Sequence, residues 1–324
     1  MISVRMTNRI CEILNIEKPI VQGPMSWITN AEFVAAVSNA GGLGFLGPNA
    51  GQIDTTRSPE ISAERMRAEV QKLKSLTDKP FGIPVIVHSD LAYTWPILEM
   101  VIEEKVPVVI VNGILDERIF KPLKENNIKI IYRPLTPTIK DAKAAEESGV
   151  DVYVATGFDE GGSVPERVIG TFSIVPMIAD AINIPVMAAG GIGDVRGVRA
   201  AFALGAEGVF AGSVFIPTKE NPAAENVKQM IVNATAEDLL MFRTLPAYYR
   251  SLPTQLAYKL VEMDNQGVSR EEIAKKMVGS IGMRIGMLEG NTDEGYISIG
   301  TGITPIKEIR TVKEVVDTLM QDFN

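Results

Sequence analysis

The sequence predicts an α/β protein, a (β/α)8 TIM barrel with a helical insertion after strand eight. Three observations carry this. Short, β-branched apolar runs alternate with longer amphipathic stretches as far as about residue 212, the rhythm of repeated βα units around a parallel sheet. Eight such runs occur, at 19–22, 42–46, 81–87, 108–111, 129–132, 152–155, 185–188 and 208–211. Beyond Pro217 the rhythm stops, and 221–290 reads as helix-rich and Met-rich.

Taken in chain order, each run is too short and too rich in β-branched residues for a buried helix. Helical patterns separate them at 30–39, 62–76, 90–104, 137–148, 171–181 and 194–204, several opening on Asn, Ser, Asp or Thr. Those side chains accept from the free N–H groups of a first helical turn. Three helix-to-strand passages echo one another: Asn39-Ala40-Gly41-Gly42-Leu43-Gly44-Phe45, Ser148-Gly149-Val150-Asp151-Val152-Tyr153-Val154 and Leu204-Gly205-Ala206-Glu207-Gly208-Val209-Phe210. Each ends its helix on Gly, which takes positive φ without a Cβ penalty. Residues 1–220 and 296–324 are therefore assigned to the barrel and 221–295 to an inserted helical lid, with 236–290 on the substrate side. The last helix is expected to start at Thr304-Pro305, a cap followed by a first-turn proline, with Ile306, Ile309, Val312, Val315, Val316 and Leu319 at helical spacing.

A chain of 324 residues can bury a sizeable core without metals or disulfides. Its 32 Lys+Arg against 40 Asp+Glu give a net charge of −8, and the absence of a basic run argues against nucleic acid or an anionic membrane as partner. Cys11 is the single cysteine and His88 the single histidine. No zinc set follows from them, no metal is expected, and no Ser-His-Asp choice exists beyond that one imidazole. A reducing, cytoplasmic setting is expected: Arg5 and Arg9 are followed by no export-type apolar stretch, and the apolar region 169–192 is broken by Asp180, Asn183, Pro176 and Pro185. The partner expected is a small-molecule substrate, and a homodimer is left open.

Barrels of this kind bind ligands at the C-terminal ends of their strands, commonly holding phosphate in the loops after strands seven and eight. Both loops carry glycine here: Ala189-Gly190-Gly191-Ile192-Gly193-Asp194 and then Gly212-Ser213. Missing Cβ atoms let backbone amides approach an anion, and Ser213 adds a hydroxyl. A phosphate-bearing ligand is expected. Gly42-Leu43-Gly44-Phe45-Leu46-Gly47 matches G-x-G-x-x-G in form, but it leads from helix into strand, the reverse of the dinucleotide fingerprint. His88 ends strand three on the face of the site and is a candidate acid or base. Tyr132 and Arg133 end strand five and could orient an anionic or carbonyl group. Asp159 and Glu160 are candidate acids, and Tyr248 and Tyr249 beside Arg250 are candidate aromatic anchors. An aldolase-type lyase would need a strand lysine at the mouth; Lys129 begins its strand at the wrong end.

Five ordered motifs then sharpen the reading: Pro19-Ile20-Val21-Gln22-Gly23-Pro24-Met25, Ser38-Asn39-Ala40-Gly41-Gly42-Leu43-Gly44, Gly157-Phe158-Asp159-Glu160-Gly161-Gly162, Ala188-Ala189-Gly190-Gly191-Ile192 and Leu204-Gly205-Ala206-Glu207-Gly208-Val209. Together they resemble the nitronate monooxygenase family, which groups with flavin-type enoyl-acyl-carrier-protein reductases and some NAD(P)H:quinone reductases. The likeness covers most of the chain, reaching Gly290-Asn291-Thr292-Asp293-Glu294-Gly295 and Gly300. It implies an FMN-binding barrel and an FMN-dependent oxidoreductase that moves a hydride or electrons through flavin N5, with NADH or NADPH as a candidate co-substrate. By resemblance, Gly23 and Met25 would line the isoalloxazine, Gly161 and Gly162 would lie on the cofactor side, and Gly190, Gly191, Gly212 and Ser213 would hold the phosphate. Where the family typically reads Glu-Ala-Gly-Gly-His, this chain reads Asp159-Glu160-Gly161-Gly162-Ser163, so Ser163 replaces the histidine usually regarded as catalytic. The Asn usual after the strand-three glycine is Pro84, the usual Gly-Gln near the C-terminus is Gly300-Thr301, and 243–254 diverges. His88 and Ser163 are left as the catalytic candidates. The resemblance leaves open nitronate oxidation with O₂, NAD(P)H-driven reduction of an enoyl thioester or a quinone, and a catalytically weak FMN-binding protein.

Overall fold

A computed structural model describes residues 8–323; residues 1–7, where the reading of Arg5 falls, and Asn324 lie outside the described residues. All eight expected strands form: β1 (Ile20–Gln22), β2 (Gly44–Phe45), β3 (Phe81–Val87), β4 (Val108–Gly113), β5 (Lys129–Tyr132), β6 (Val152–Thr156), then, after a short extra strand β7 (Gly162–Val164), β8 (Val186–Ala189) and β9 (Gly208–Ala211). The eight pair in parallel in the order β1-β9-β8-β6-β5-β4-β3-β2, and a parallel bridge between Val21 and Leu43 closes the ring. Side chains alternate across each strand. Val21, Phe45, Val108, Ile110, Ile131, Val152, Val154, Met187 and Phe210 form one buried cluster inside the barrel, while their neighbours in sequence pack outward under the helices.

Helix α1 (Arg9–Leu14) precedes β1 and contributes Ile10 and Leu14 to that inner cluster, closing the end of the barrel where the strands begin. The outer helices are α2 (Ala31–Asn39), α3 (Pro59–Leu76), α4 (Thr94–Glu103), α5 (Glu117–Glu125), α6 (Ile139–Glu147), α7 (Thr171–Ala179) and α8 (Val195–Ala203). Asn30, Ser58, Thr138 and Asp194 cap α2, α3, α6 and α8 through their side chains, which is why those polar residues interrupt the apolar periodicity where they do.

The region after β9 departs from the all-helical expectation. It holds α9 (Glu225–Asn233), an antiparallel hairpin of β10 (Leu240–Arg243) and β11 (Tyr248–Ser251), α10 (Gln255–Asn265), α11 (Arg270–Met277) and α12 (Ser280–Met283). Val227 and Ile231 of α9 join the barrel's outer core, whereas Phe242, Tyr249, Leu256, Leu260, Ile273, Met277 and Tyr296 form a separate small core of the insertion. The hairpin is stitched to the barrel through β7, with Tyr249 opposite Ser163 and Tyr248 opposite Val164. Backbone pairing, which no side-chain pattern advertises, therefore sets how the insertion sits over the mouth.

The final helix α13 (Val312–Leu319) also starts later than expected. Thr311 and Glu314 form a reciprocal capping box that fixes the start, while the Thr304 hydroxyl accepts from the Ala236 amide and is engaged with the insertion instead. Among the described residues no helix is long and apolar enough to cross a membrane.

Candidate functional site

A cavity of about 660 Å³ lies between the C-terminal ends of the strands and the insertion, within the range of roughly 300–1,000 Å³ common for cofactor and substrate sites. Gly23, Met25, Gly161, Gly162, Ser163, Gly190, Gly191, Gly212 and Ser213 all line it. His88 does not. β3 ends at Val87, and His88 opens an exposed segment at 88–90, outside the lining. The expectation of a strand-three imidazole in the site is corrected accordingly.

The two glycine turns are built for close approach. Gly190 and Gly191 have φ of +100° and +75°, a backbone region that favours glycine. The amide N–H groups of Gly190, Gly191, Gly212 and Ser213 make no hydrogen bond among the described residues. Four unbonded donors on the rim of one cavity suit an anionic group such as a phosphate. The Ser213 hydroxyl accepts from the Gly300 amide at 2.8 Å, which fixes its oxygen and leaves its proton available to a ligand. At the other side of the cavity a Cβ on Gly23 would lie 2.6 Å from the ring of Phe210, so the floor admits only bare backbone there. The Met25 sulfur borders Gly212, at 3.6 Å from where a Cβ on that glycine would be. A flat, apolar-faced ring with a phosphate tail, as in FMN, fits this combination of cradle and floor.

The loop from β6 to β7 is held from several directions. The Asp159 carboxylate accepts from the Thr171 amide at 2.7 Å at the start of α7, a structural anchor in place of the acid role weighed for it. Arg250 donates to the carbonyls of Phe158, at 2.7 Å, and Glu160, and its guanidinium lies 5.2 Å from the Phe158 ring. Burial pushes Arg250 below its ordinary pKa, as expected for a cation desolvated to order a loop. Tyr132 is likewise structural: its hydroxyl donates to the Gly113 carbonyl at 2.8 Å and to Asp141 at 3.1 Å, with Tyr153 on the other Asp141 oxygen at 2.9 Å.

Arg133 and Glu160, by contrast, enter the cavity as an ion pair with side chains 21% and 10% exposed. Burial pushes the Glu160 carboxyl up to about 7, with Arg133 and Arg250 opposing the rise. The insertion supplies Tyr249, whose phenol is hydrogen-bonded to Ser298 and packs edge-on against Tyr296 at 5.0 Å. Burial raises both phenols, so they remain protonated donors. Tyr248 instead packs on Phe158 and Arg270. The Trp27 indole donates to the Ser280 carbonyl at 2.8 Å, pinning α12 to the loop after β1. Asn112, Tyr296, Ser298 and Met287 line the cavity without having been singled out in the sequence. Only for Asn112 was a signal present: Val108 and Ile110 face the barrel interior, so period two carries residue 112 inward at the mouth.

The arrangement has known counterparts. A model of the nitronate monooxygenase family matches residues 7–96 and 93–322. A probable nitronate monooxygenase of Staphylococcus saprophyticus is 33% identical over 309 residues, covering 81% of this chain and 83% of its own length. One from Staphylococcus aureus is 34% identical over 276 residues, 72% of this chain and 74% of its own. Among solved structures, FabK from Thermotoga maritima superposes with a TM-score of 0.86 at 34% identity, over 98% of this chain and 96% of that one. Nitroalkane oxidase from Streptomyces ansochromogenes shares the fold at a TM-score of 0.80 and 22% identity, over 97% and 98% of the two chains.

Proposed function

The chain belongs to the nitronate monooxygenase family and is a flavin-dependent oxidoreductase; from this premise we propose that its flavin is FMN and that NADH or NADPH, in preference to a nitronate, is its electron donor. The acceptor classes are an enoyl thioester, a quinone or a similar small organic molecule.

The observation that carries this reading is the cavity's lack of an imidazole. Ser163 stands on β7 where the family motif has histidine, and no histidine lines the cavity among the described residues. A serine hydroxyl is too weakly acidic to act as a base near pH 7, but it can donate a hydrogen bond to a carbonyl. The Glu160 carboxyl is paired with Arg133, so together they offer an anionic nitronate no net positive charge when both are ionised.

When bound, FMN supplies the capacity to take up and release a hydride. The amides of Gly190, Gly191, Gly212 and Ser213 would hold its phosphate, and Gly23 and Met25 would border the ring. Tyr249 and Ser298, held together and protonated, offer a second hydroxyl donor opposite Ser163. The insertion, pinned through Trp27 and β7, lines one side of that space, and orientation of bound groups of this kind contributes several kcal/mol without a strong base.

Anaerobic stopped-flow reduction by NADH, NADPH and propyl nitronate, in wild type and Ser163→His, tests the proposal. Reduction by a nicotinamide in wild type, with nitronate reactivity gained only in the histidine variant, is expected. Fast reduction by nitronate and negligible reduction by either nicotinamide would overturn it.

A further inference from the structure

Six non-glycine residues among the described residues hold a positive φ: Asn15, Trp27, Asn49, Lys105, Asn127 and Val278. Asparagine tolerates this region, and Lys105, just past α4, is unbranched; a bulky indole or a β-branched side chain there is a genuine outlier. The two outliers, Trp27 at +71° and Val278 at +57°, are far apart in sequence and meet at one place. The Trp27 indole donates to the carbonyl of Ser280, two residues beyond Val278, at 2.8 Å. Backbone strain persists only where its surroundings over-determine it, and it gathers at clamps and switches. Val278 closes α11 at the position where a helix end ordinarily calls for Gly or Asn. Its side chain is 54% exposed, so packing does not offset the conformation. What holds it lies just beyond: the Tyr296 hydroxyl donates to the Gly279 carbonyl, and Trp27 to that of Ser280. Trp27 itself is 1% exposed, with its amide bonded to the Pro48 carbonyl at 3.0 Å and the Arg284 guanidinium 5.8 Å from its ring.

These bonds join two walls of the cavity. Met25 and Ser26, immediately before Trp27, line it from the barrel, while Gly279, Ser280 and Met283 line it from the insertion. The insertion segment is anchored at both ends. Its far end is fixed where the Met287 carbonyl accepts from the Ala224 amide at 2.9 Å, at the start of α9, which packs into the barrel's outer core. Its near end, α11, is held in the insertion's own core through Ile273 and Met277. Between these anchors, 278–283 crosses the rim with Gly279 and Ser280 exposed. It then enters a π-helical turn at Arg284–Leu288, an irregularity common at functional sites. We propose that Trp27 is a positioning residue, the latch that holds residues 278–283 across the mouth of the cavity, and that Val278 is the strained hinge whose relaxation lifts that segment to admit substrate and release product. With the indole bond made, Val278 is kept left-handed and the segment is down; with the bond given up, Val278 returns to an ordinary backbone region and the segment swings on its anchors. The strain brings the two states close in energy, which is what a segment that must open in every cycle needs. The inference rests on the oxidoreductase reading only for what passes through the mouth.

Hydrogen exchange read by mass spectrometry follows the segment directly, because local opening exposes its amides while the barrel stays folded. Trp27→Phe keeps a ring for Arg284 to face and removes the indole N–H, whereas Val278→Asn accepts the left-handed φ and relieves the strain. Peptides spanning 277–288 should exchange about tenfold faster in Trp27→Phe, the size of one lost hydrogen bond, and about fivefold more slowly in Val278→Asn. Peptides of β3 and β4 should be unchanged in both. Opposite shifts confined to one segment are what a latch produces and a general packing role does not. Turnover of NADH with menadione, with flavin content read from the visible spectrum of the same samples, then reports the consequence. Val278→Asn should lower kcat and KM together, because a mouth that opens less often slows product release, and Trp27→Phe should raise KM. If Trp27→Phe fails to fold, Val278→Asn, at an exposed position, decides alone: slowed exchange supports the latch and unchanged exchange overturns it. Unchanged exchange at 277–288 in both variants, a rise spread equally over the barrel peptides, or shifts of the same sign also overturns it. Slowed exchange in Val278→Asn at unchanged kcat and KM overturns the role in substrate passage. Opposite shifts in a protein that NADH and NADPH fail to reduce support the latch and refute the electron-donor reading; NADH turnover with unchanged exchange refutes the latch alone.

Discussion

Replacing Gly191 by Asp puts the glycine-turn assignment at risk most sharply. A Cβ at position 191 would lie 3.1 Å from Asp159 Cβ and 3.4 Å from the Thr301 hydroxyl oxygen, so the new carboxylate enters a crowded turn on the cavity lining. Two unit charges about 4 Å apart interact by about 4 kcal/mol at an effective dielectric near 20. Against a phosphate this becomes a loss of on the order of 10³-fold in FMN affinity. Part of any effect comes from the backbone, since φ at 191 is +75° and a left-handed residue with a Cβ costs about 1–2 kcal/mol. Gly191→Asn separates the two: it has nearly the same size, tolerates that φ and is neutral. The assay is quenching of FMN fluorescence by apo-protein of wild type and both variants, with thermal melting to confirm folding and riboflavin, which lacks the phosphate, as control ligand. FMN should bind the Asp variant far more weakly than the Asn variant, while riboflavin should distinguish them little. If Asp and Asn variants bind FMN with affinities within about threefold, the phosphate does not sit on this turn.

Three further perturbations probe other parts of the account. Tyr249→Phe removes the phenol bonded to Ser298 but keeps the ring against Tyr296; kcat/KM for the acceptor should fall by about tenfold at unchanged flavin content, and parallel loss of FMN would place the residue against the cofactor instead. Glu160 has its folded-state pKa pushed up to about 7 from 4.5, so the folded protein binds more protons than the unfolded chain between those values. Stability should therefore decline as pH rises through that window, by about 3 kcal/mol in the apo-protein, and denaturant midpoints of Glu160→Gln should lack that component; identical pH slopes would contradict the burial argument. Gly23→Ala should lower stability by about 1–3 kcal/mol through collision with the Phe210 ring, and Phe210→Leu in the same chain should recover part of it in melting experiments.

The parts of the fold legible in the sequence share a physical cause. Strands of a closed parallel barrel are buried on both faces, so β3, β4 and β6 read as short, largely apolar runs rich in Val and Ile in place of the polar-faced pattern of a surface helix. The glycine turns proposed to hold a phosphate were legible for a similar reason, because positive φ at Gly190 and Gly191 favours glycine. The β10–β11 hairpin was not. Leu240-Met241-Phe242-Arg243 and Tyr248-Tyr249-Arg250-Ser251 lack clean alternation and are joined by Thr244-Leu245-Pro246-Ala247 in place of a two-residue Gly turn. Their pairing with β7 supplies the order that local propensity omits. Arg133 and Glu160 were each visible as polar residues at a strand end and in a loop, but 27 positions separate them in sequence, and only the closing of the barrel brings them together.

The most direct test of the central claim is the flavin stoichiometry of the purified protein, measured from its visible spectrum, with the released cofactor identified by mass. The account predicts a yellow protein carrying about one FMN per chain, retained through gel filtration and recovered on reconstitution of the apo-protein. A folded, colourless protein whose apo-form fails to take up FMN would contradict it.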